Sequence, residues 1–219
     1  MEVVSPYKEA TDVILEAGGD PLKLCYQCGL CTGVCPWNTV RSFMVRRIMH
    51  EAQLGATDFG GEDAWICATC RACVQRCPRG VEIIDVMRAV RRVIVSLGVG
   101  IIPDALRISA KNIAGVGNPF GEGPEKRDDW ANDLKVKRFA PGTEILYFPC
   151  CVPAYDPDAK TVARSNATIF NKLGVNFGLI GSEVKCCGEA IRKAGHEETF
   201  QNLAQNNINL FNSNSVKTV

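Results

Sequence analysis

Residues 25–36 read CYQCGLCTGVCP, and residues 67–78 repeat the spacing as CATCRACVQRCP. Each run is C-x-x-C-x-x-C-x-x-x-C-P, the spacing that holds 4Fe–4S clusters. Three thiolates two residues apart curl around three corners of one cubane, because the short loops between them let the backbone wrap it. The fourth does not reach the same cluster and ligates its neighbour. The spacing therefore predicts one cluster on Cys25, Cys28, Cys31 and Cys77, and a second on Cys67, Cys70, Cys73 and Cys35. Pro36 and Pro78 fix φ and turn the chain away. The small residues Gly29, Gly33, Ala68 and Ala72 let backbone amides approach the sulfurs, which raises a cluster's potential. Structural zinc on C-x-x-C pairs is the rival chemistry. It needs four ligands per site and gives no reason for the third spaced cysteine or the trailing proline in both copies.

The 219 residues carry 25 Lys+Arg against 24 Asp+Glu, a net charge of +1, with 46% hydrophobic residues. That is room for one good-sized domain or two small ones. The balanced charge removes the electrostatic case for nucleic-acid binding or a polybasic membrane anchor. The longest uncharged apolar stretch, Val93 to Pro103, falls far short of the ~20 residues a spanning helix needs. The opening MEVVSPYKEATD lacks the cationic-then-apolar pattern of a secretory signal. The composition predicts a cytoplasmic protein. Disulfides are rare there, so the twelve cysteines need another use. Those outside the repeats form two adjacent pairs, Cys150–Cys151 and Cys186–Cys187.

Residues 36–66 have helical character, with Val40, Phe43, Met44 and Ile48 on one face and Arg41, Arg46, Arg47 and His50 largely on others. After the second repeat, Ile83, Met87, Val90, Ile94 and Leu97 form an apolar stripe, and Arg88, Arg91 and Arg92 a basic one. An all-helical module over residues 1–114 follows. The basic stripe reads as a solvated helix face whose charge offsets the anionic clusters, with docking of an acidic partner as the second reading. A short helix through Ala105 to Ile113 gives way to a stretch punctuated by Gly and Pro and then rich in charge. Residues 115–143 are expected to be a linker.

From residue 144 the period changes. Ile145 to Phe148 reads as a strand, and Lys160 to Leu173 as a helix with Val162, Ile169, Phe170 and Leu173 inward. Val175 to Ile180 is a second strand candidate, His196 to Phe211 a second helix, and Val216 to Val219 the start of a third strand. This β-α-β-α-β order favours a parallel sheet with right-handed crossovers, whose ligands collect beyond the carboxyl ends of the strands. Cys150–Cys151 follows the first strand and Cys186–Cys187 the second, so both pairs are expected on one sheet edge. His50 and His196, the only histidines, are expected at the surface, and no Ser/His/Asp set supports hydrolysis. The expected fold class is α+β multidomain: an all-helical two-cluster module followed by a partial α/β parallel-sheet domain.

The segments YFPCCVPAYDP (147–157) and KCCGEAIRKAGHEETFQNLA (185–204) resemble the cysteine-rich CCG domain of the heterodisulfide reductase family. The module before them is similar to the ferredoxin module of succinate dehydrogenase and fumarate reductase iron–sulfur subunits. Together they resemble the D-type heterodisulfide reductase subunit, in which the C and B subunits are fused. Iron–sulfur subunits of anaerobic glycerol-3-phosphate dehydrogenase, glycolate oxidase, sulfite-reduction-linked membrane complexes and benzoyl-CoA reductase modules share the plan.

The resemblance implies that Cys151, Cys186 and Cys187 hold a third, non-cubane iron–sulfur cluster at a catalytic site, completed in the family by a later C-x-x-C. Cys150 stands where many relatives have Gly. No cysteine follows Cys187, and Val219 falls in the opening of a strand, so residues 144–219 are expected to be a truncated first CCG domain. The function implied is an oxidoreductase subunit of anaerobic metabolism, passing electrons through two 4Fe–4S clusters to a site that reduces a disulfide or related substrate. The alternative is an electron conduit between subunits of a dehydrogenase, quinone or benzoyl-CoA reductase type complex. The expected partners are other redox subunits (a flavoprotein, a b-type cytochrome or a hydrogenase). Such a partner would hold the protein at the inner face of the membrane; no nucleic acid and no membrane span of its own are expected.

Overall fold

The computed structural model describes residues 5–56 and 61–219, so the first four residues and residues 57–60 of the segment between the repeats lie outside it. The chain divides into two compact units. One comprises Met1–Leu106 with Ala190–Glu197, and the other Arg107–Glu189 with Glu198–Val219. Among the described residues no helix is long and apolar enough to cross a membrane.

The first unit is helical and is organised by the helix Ile83–Leu97. Its Val and Ile residues are β-branched and weak helix formers, so burial rather than propensity decides the conformation. Ile83, Val86, Met87, Val90 and Ile94 pack against Ile14, Leu22, Phe43, Ile48 and Met49 in one core. Each such side chain contributes roughly 1.5–3 kcal/mol. Leu97, expected inside, is exposed beside the left-handed Gly98 that caps the helix.

Among the described residues between the repeats, the longer helix runs over Val45–Leu54, and Asp63–Ile66 forms one further helical turn. Phe43 and Ile48 are buried as expected, whereas Val40 is 76% and Met44 45% exposed. Pro36 opens a 3-10 turn over Pro36–Thr39, so the residues before Val45 do not keep the helical phase assumed for them. Gly55 (φ +61) ends this helix where an added Cβ would fall 1.8 Å from the Tyr7 carbonyl oxygen, which leaves room only for glycine.

The basic stripe is neither a solvated nor a docking face. Arg88 pairs with Asp85. Arg92 donates to the Ala17 carbonyl at 2.7 Å and to Glu197 Oε2 at 2.5 Å. Arg91 is only 5% exposed. Facing the core rather than water, its guanidinium is held by carbonyl groups of its own unit.

In the second unit the helix Asp104–Val116, which starts at the end of the first unit, leads into a segment that builds the fold rather than linking it. Pro124–Ala131 forms a 3-10 helix with buried Arg127 and Trp130, and Lys137–Arg138 forms strand β1. Strands β2 (Ile145–Leu146) and β3 (Phe177–Leu179) complete a parallel sheet of order β1-β3-β2. Gly178 stands opposite Lys137 on one side and Leu146 on the other. The third strand thus comes from the expected linker. Residues 216–219 form no strand, and Thr218 contributes one carbonyl to the Leu146 amide at 2.9 Å.

The crossover helix Lys160–Lys172 has the expected extent but a different inner face. Ala163 and Ala167 are buried, while Val162, Ile169 and Leu173 are exposed. Only Phe170, of the residues expected inward, packs onto the aromatic group, with Tyr147 at 5.5 Å and Phe177 at 5.2 Å between ring centroids. Trp130 joins it at 5.9 Å from Tyr147. The rings fill this layer, and the helix approaches on alanines.

Because that inner face is close-packed, Ala167→Leu should destabilise the unit by about 1–3 kcal/mol, whereas Leu173→Ser should change stability by less than about 0.5 kcal/mol. Urea midpoints of the two variants compared with wild type check this. The inward set read from the sequence requires the opposite ranking.

Candidate iron–sulfur sites

Both cysteine repeats fold the same way. In the first, Cys25 leaves the 3-10 turn Asp20–Leu24 in an extended conformation. Gln27 and Gly29 are left-handed (φ +67 and +83), and the turn Leu30–Gly33 carries Cys31. In the second, Thr69 and Arg71 hold the equivalent positions with φ +54 and +69, and Ala72–Gln75 carries Cys73. A left-handed residue entering a right-handed turn directs successive N–H groups to one side, the nest that receives anions at many Fe–S sites. A β-branched threonine at positive φ is an outlier. Such strain, of order 1–3 kcal/mol, persists where its surroundings impose it and gathers at functional sites. Gln27, Thr69 and Arg71 escaped a reading that looked for small residues, because only one of these positions, Gly29, carries one.

The structure brings the eight cysteines to two hollows. Cys25, Cys28, Cys31 and Cys77 line one, with Arg46, Pro78 and Arg79 at its wall. Cys35, Cys67, Cys70 and Cys73 line the other, with Trp37, Phe43 and Arg71. Each hollow thus holds three cysteines of one repeat and the last cysteine of the other, and Ile83 lines both. A backbone amide and a side-chain amide reach the sulfurs: Val81 N donates to Cys77 Sγ at 3.4 Å, and Gln27 Nε2 to Cys25 Sγ at 3.6 Å.

Burial pushes the Cys31 and Cys67 thiols up. Cys73 is raised to about 11 by burial first and then by the neighbouring Cys67 and Cys31. Crowded thiols that resist ionisation separately are suited to a cationic core that replaces their protons together. Four thiols in each hollow, three from one run and one from the other, are a donor set that fits a 4Fe–4S cubane.

The second unit gathers the remaining four cysteines. Cys150 is exposed at the carboxyl side of β2, and Cys151 opens the short helix Cys151–Tyr155 and is buried. Cys186 is buried and Cys187 half-buried. The Cys150 thiol donates to Cys187, Cys187 to Cys186, and Cys186 to Cys151. The 185–186 backbone is pinned by buried Asn207, which accepts from Lys185 N at 3.0 Å and donates to the Lys185 and Cys186 carbonyls at 3.2 Å each. Gly117 accepts from the Cys186 amide at 2.7 Å.

Arg127, 2% exposed, donates to the Pro149 carbonyl at 3.0 Å and to Cys151 Sγ at 3.6 Å. The hydrogen bond from Cys186, then the Arg127 guanidinium, draws the Cys151 pKa down to about 7 against the opposing effect of burial. Cys186 and Cys187 are pushed up by the same chain of hydrogen bonds, and Cys150 by burial. Arg127 sits in the stretch expected to be a linker, and nothing in its local sequence marks it. Of the two histidines, His50 is exposed and His196 is half-buried, its pKa lowered by that burial.

Residues 24–82 match the family of 4Fe–4S dicluster domains, and residues 145–219 match the cysteine-rich CCG domain. The chain is therefore an iron–sulfur protein that joins a two-cluster 4Fe–4S domain to a cysteine-rich domain. Its relatives include C-type and D-type subunits of heterodisulfide reductases and an EtfAB:quinone oxidoreductase.

The EtfAB:quinone oxidoreductase of Syntrophomonas wolfei is 32% identical over 167 residues, 73% of this chain and 23% of the relative. The C-type subunit of the H(2):CoB-CoM heterodisulfide,ferredoxin reductase of Methanothermobacter marburgensis is 43% identical over 86 residues, 38% of this chain and 46% of the relative. The D-type subunit of the dihydromethanophenazine:CoB--CoM heterodisulfide reductase of Methanosarcina mazei is 26% identical over 226 residues, 90% of this chain and 54% of the relative. The chain thus spans about a quarter to about half of the length of these relatives.

The crossed lining of the hollows makes a specific prediction. Cys35→Ala should abolish the cluster associated with Cys67, Cys70 and Cys73, and with it about half of the iron and sulfide. The cluster nearest Cys35 in sequence should survive. Electron paramagnetic resonance of the reduced variant, compared with Cys70→Ala, distinguishes the two. Loss of a signal that Cys70→Ala leaves intact would contradict the assignment.

Proposed function

We propose that this chain is the electron-transferring part of an oxidoreductase complex of the heterodisulfide reductase type. Cys25, Cys28, Cys31 and Cys77 hold one 4Fe–4S cluster, and Cys67, Cys70, Cys73 and Cys35 hold the second. When bound, the clusters supply one-electron carriers. The chain's own residues bind them, exclude water with Ile83, Phe43 and Met49, and set their potentials through amides and charges. Cys151, Cys186 and Cys187 form the third, cysteine-rich site, where a disulfide or related substrate is reduced.

The observation that carries this reading is the presence, in one chain, of two crossed cysteine hollows and a separate group of hydrogen-bonded cysteines beside a buried guanidinium. Partner subunits supply and withdraw the electrons, since neither unit shows a flavin or quinone signature in its sequence. These partners are of flavoprotein, b-type cytochrome or hydrogenase kind, and any membrane attachment of the cytoplasmic complex comes through them. One relative, in Chromohalobacter salexigens, is described as a probable membrane-anchored ferredoxin and is 27% identical over 224 residues. The likeness to the EtfAB:quinone oxidoreductase favours a second reading, a conduit whose cysteine-rich unit performs no chemistry.

Anaerobic purification of the full-length protein with its bound partners tests both. The complex should reduce a disulfide with electrons from its own donor, and the isolated chain should not turn over. Cys186→Ala should lower turnover more than tenfold while leaving both cubane signals intact. Unchanged turnover would support the conduit, and full turnover by the isolated chain would overturn the complex.

A further inference from the structure

The two hollows differ in one respect that the spacing of their cysteines does not contain. Arg91, on the helix Ile83–Leu97, is buried, and its guanidinium is fixed by three backbone carbonyls. Nε donates to Ala64 at 2.7 Å, Nη2 to Cys67 at 2.6 Å and Nη1 to Lys193 at 2.8 Å. The Trp65 ring centroid lies 5.6 Å from its Cζ. Among the described residues no carboxylate pairs with it. A buried, permanently charged group without a counter-ion is unfavourable, and the nearest chemistry able to balance it is the thiolate site to which Cys67 belongs.

Among the described residues, the hollow of Cys25, Cys28, Cys31 and Cys77 has no such group. Its cations, Arg46 and Arg79, are exposed, so water and salt screen them. Arg71 lines the other hollow, but it too is exposed and is paired with Glu82 at 3.0 Å. A cation fixed in a region of low effective dielectric acts far more strongly than a screened one. Because reduction adds negative charge to a cluster, such a cation favours the reduced form; charge, hydrogen bonding and exposure are the levers that set cluster potentials.

We propose that Arg91 is a positioning residue that raises the potential of the cluster on Cys35, Cys67, Cys70 and Cys73 above that of its neighbour, making it the place where an electron entering the pair settles. This rests on the two-cluster reading. Arg91 acts through Cys67 and the adjacent backbone. The unequal potentials give the pair a direction that its symmetrical repeats lack.

The test is an anaerobic redox titration of the full chain followed by electron paramagnetic resonance, for wild type, Arg91→Gln and Arg91→Lys. Iron and sulfide are measured on the same samples, and the signals are assigned with Cys35→Ala. Wild type lacking the two clusters would remove the two-cluster reading rather than the role of Arg91. In Arg91→Gln the reduced-to-oxidised ratio of the assigned cluster at fixed potential should fall about tenfold, ~59 mV for one electron, with the other midpoint unmoved. Arg91→Lys should keep the wild-type midpoint within about threefold in that ratio.

A fully loaded Arg91→Gln with both midpoints unchanged would overturn the proposal and leave Arg91 a structural residue. Should Arg91→Gln fail to load its cluster, Arg91→Lys decides. Full iron with the wild-type midpoint supports the charge. An unloaded site, or a midpoint displaced tenfold, overturns it.

Discussion

A cubane needs four thiolates around it, and a C-x-x-C-x-x-C run can wrap only three corners before the backbone must leave. The rest of the first unit answers that constraint. Each repeat sends its last cysteine to the hollow of the other, so the two halves cannot form independently. The helix Ile83–Leu97 sets out five residues after Pro78 and supplies Ile83 to both hollows. A helix of Val and Ile, poor in propensity, suits this position because packing around the two sites holds it in place.

The same helix carries the electrostatics. Three of its arginines serve different ends: Arg88 pairs along the helix, Arg92 holds Ala17 and Glu197, and Arg91 lies buried against the backbone of Cys67. The second unit uses the same device independently, with Arg127 buried against Cys151. Each sulfur-rich unit thus keeps a guanidinium out of water beside its cysteines.

Much of this was legible in the sequence. The duplicated spacing pointed to the grouping of cysteines that the two hollows show, and the alternation of strands and helices pointed to a parallel sheet with Cys150–Cys151 and Cys186–Cys187 drawn together. What escaped depended on tertiary context. The stretch 115–143 is rich in Gly, Pro and charge, which reads as a linker, yet Trp130 and Arg127 are buried and Lys137–Arg138 forms a strand. The inner face of Lys160–Lys172 is made of Ala163 and Ala167, small residues that a search for large apolar ones passes over. Left-handed Thr69 and Arg71 violate residue preference, and such violations are found where a site imposes them. Arg91 belonged to an apparent surface stripe, and no periodicity distinguishes a buried arginine from a solvated one.

The first unit rests on the exchange of the last cysteines between its two repeats, and iron-edge anomalous diffraction from crystals of the anaerobically purified protein tests that exchange directly. The result predicted is two compact iron groups in the first unit, one bounded by the sulfurs of Cys25, Cys28, Cys31 and Cys77 and the other by those of Cys35, Cys67, Cys70 and Cys73. Iron groups each bounded by the four cysteines of a single repeat, or single metal ions on C-x-x-C pairs, would contradict it.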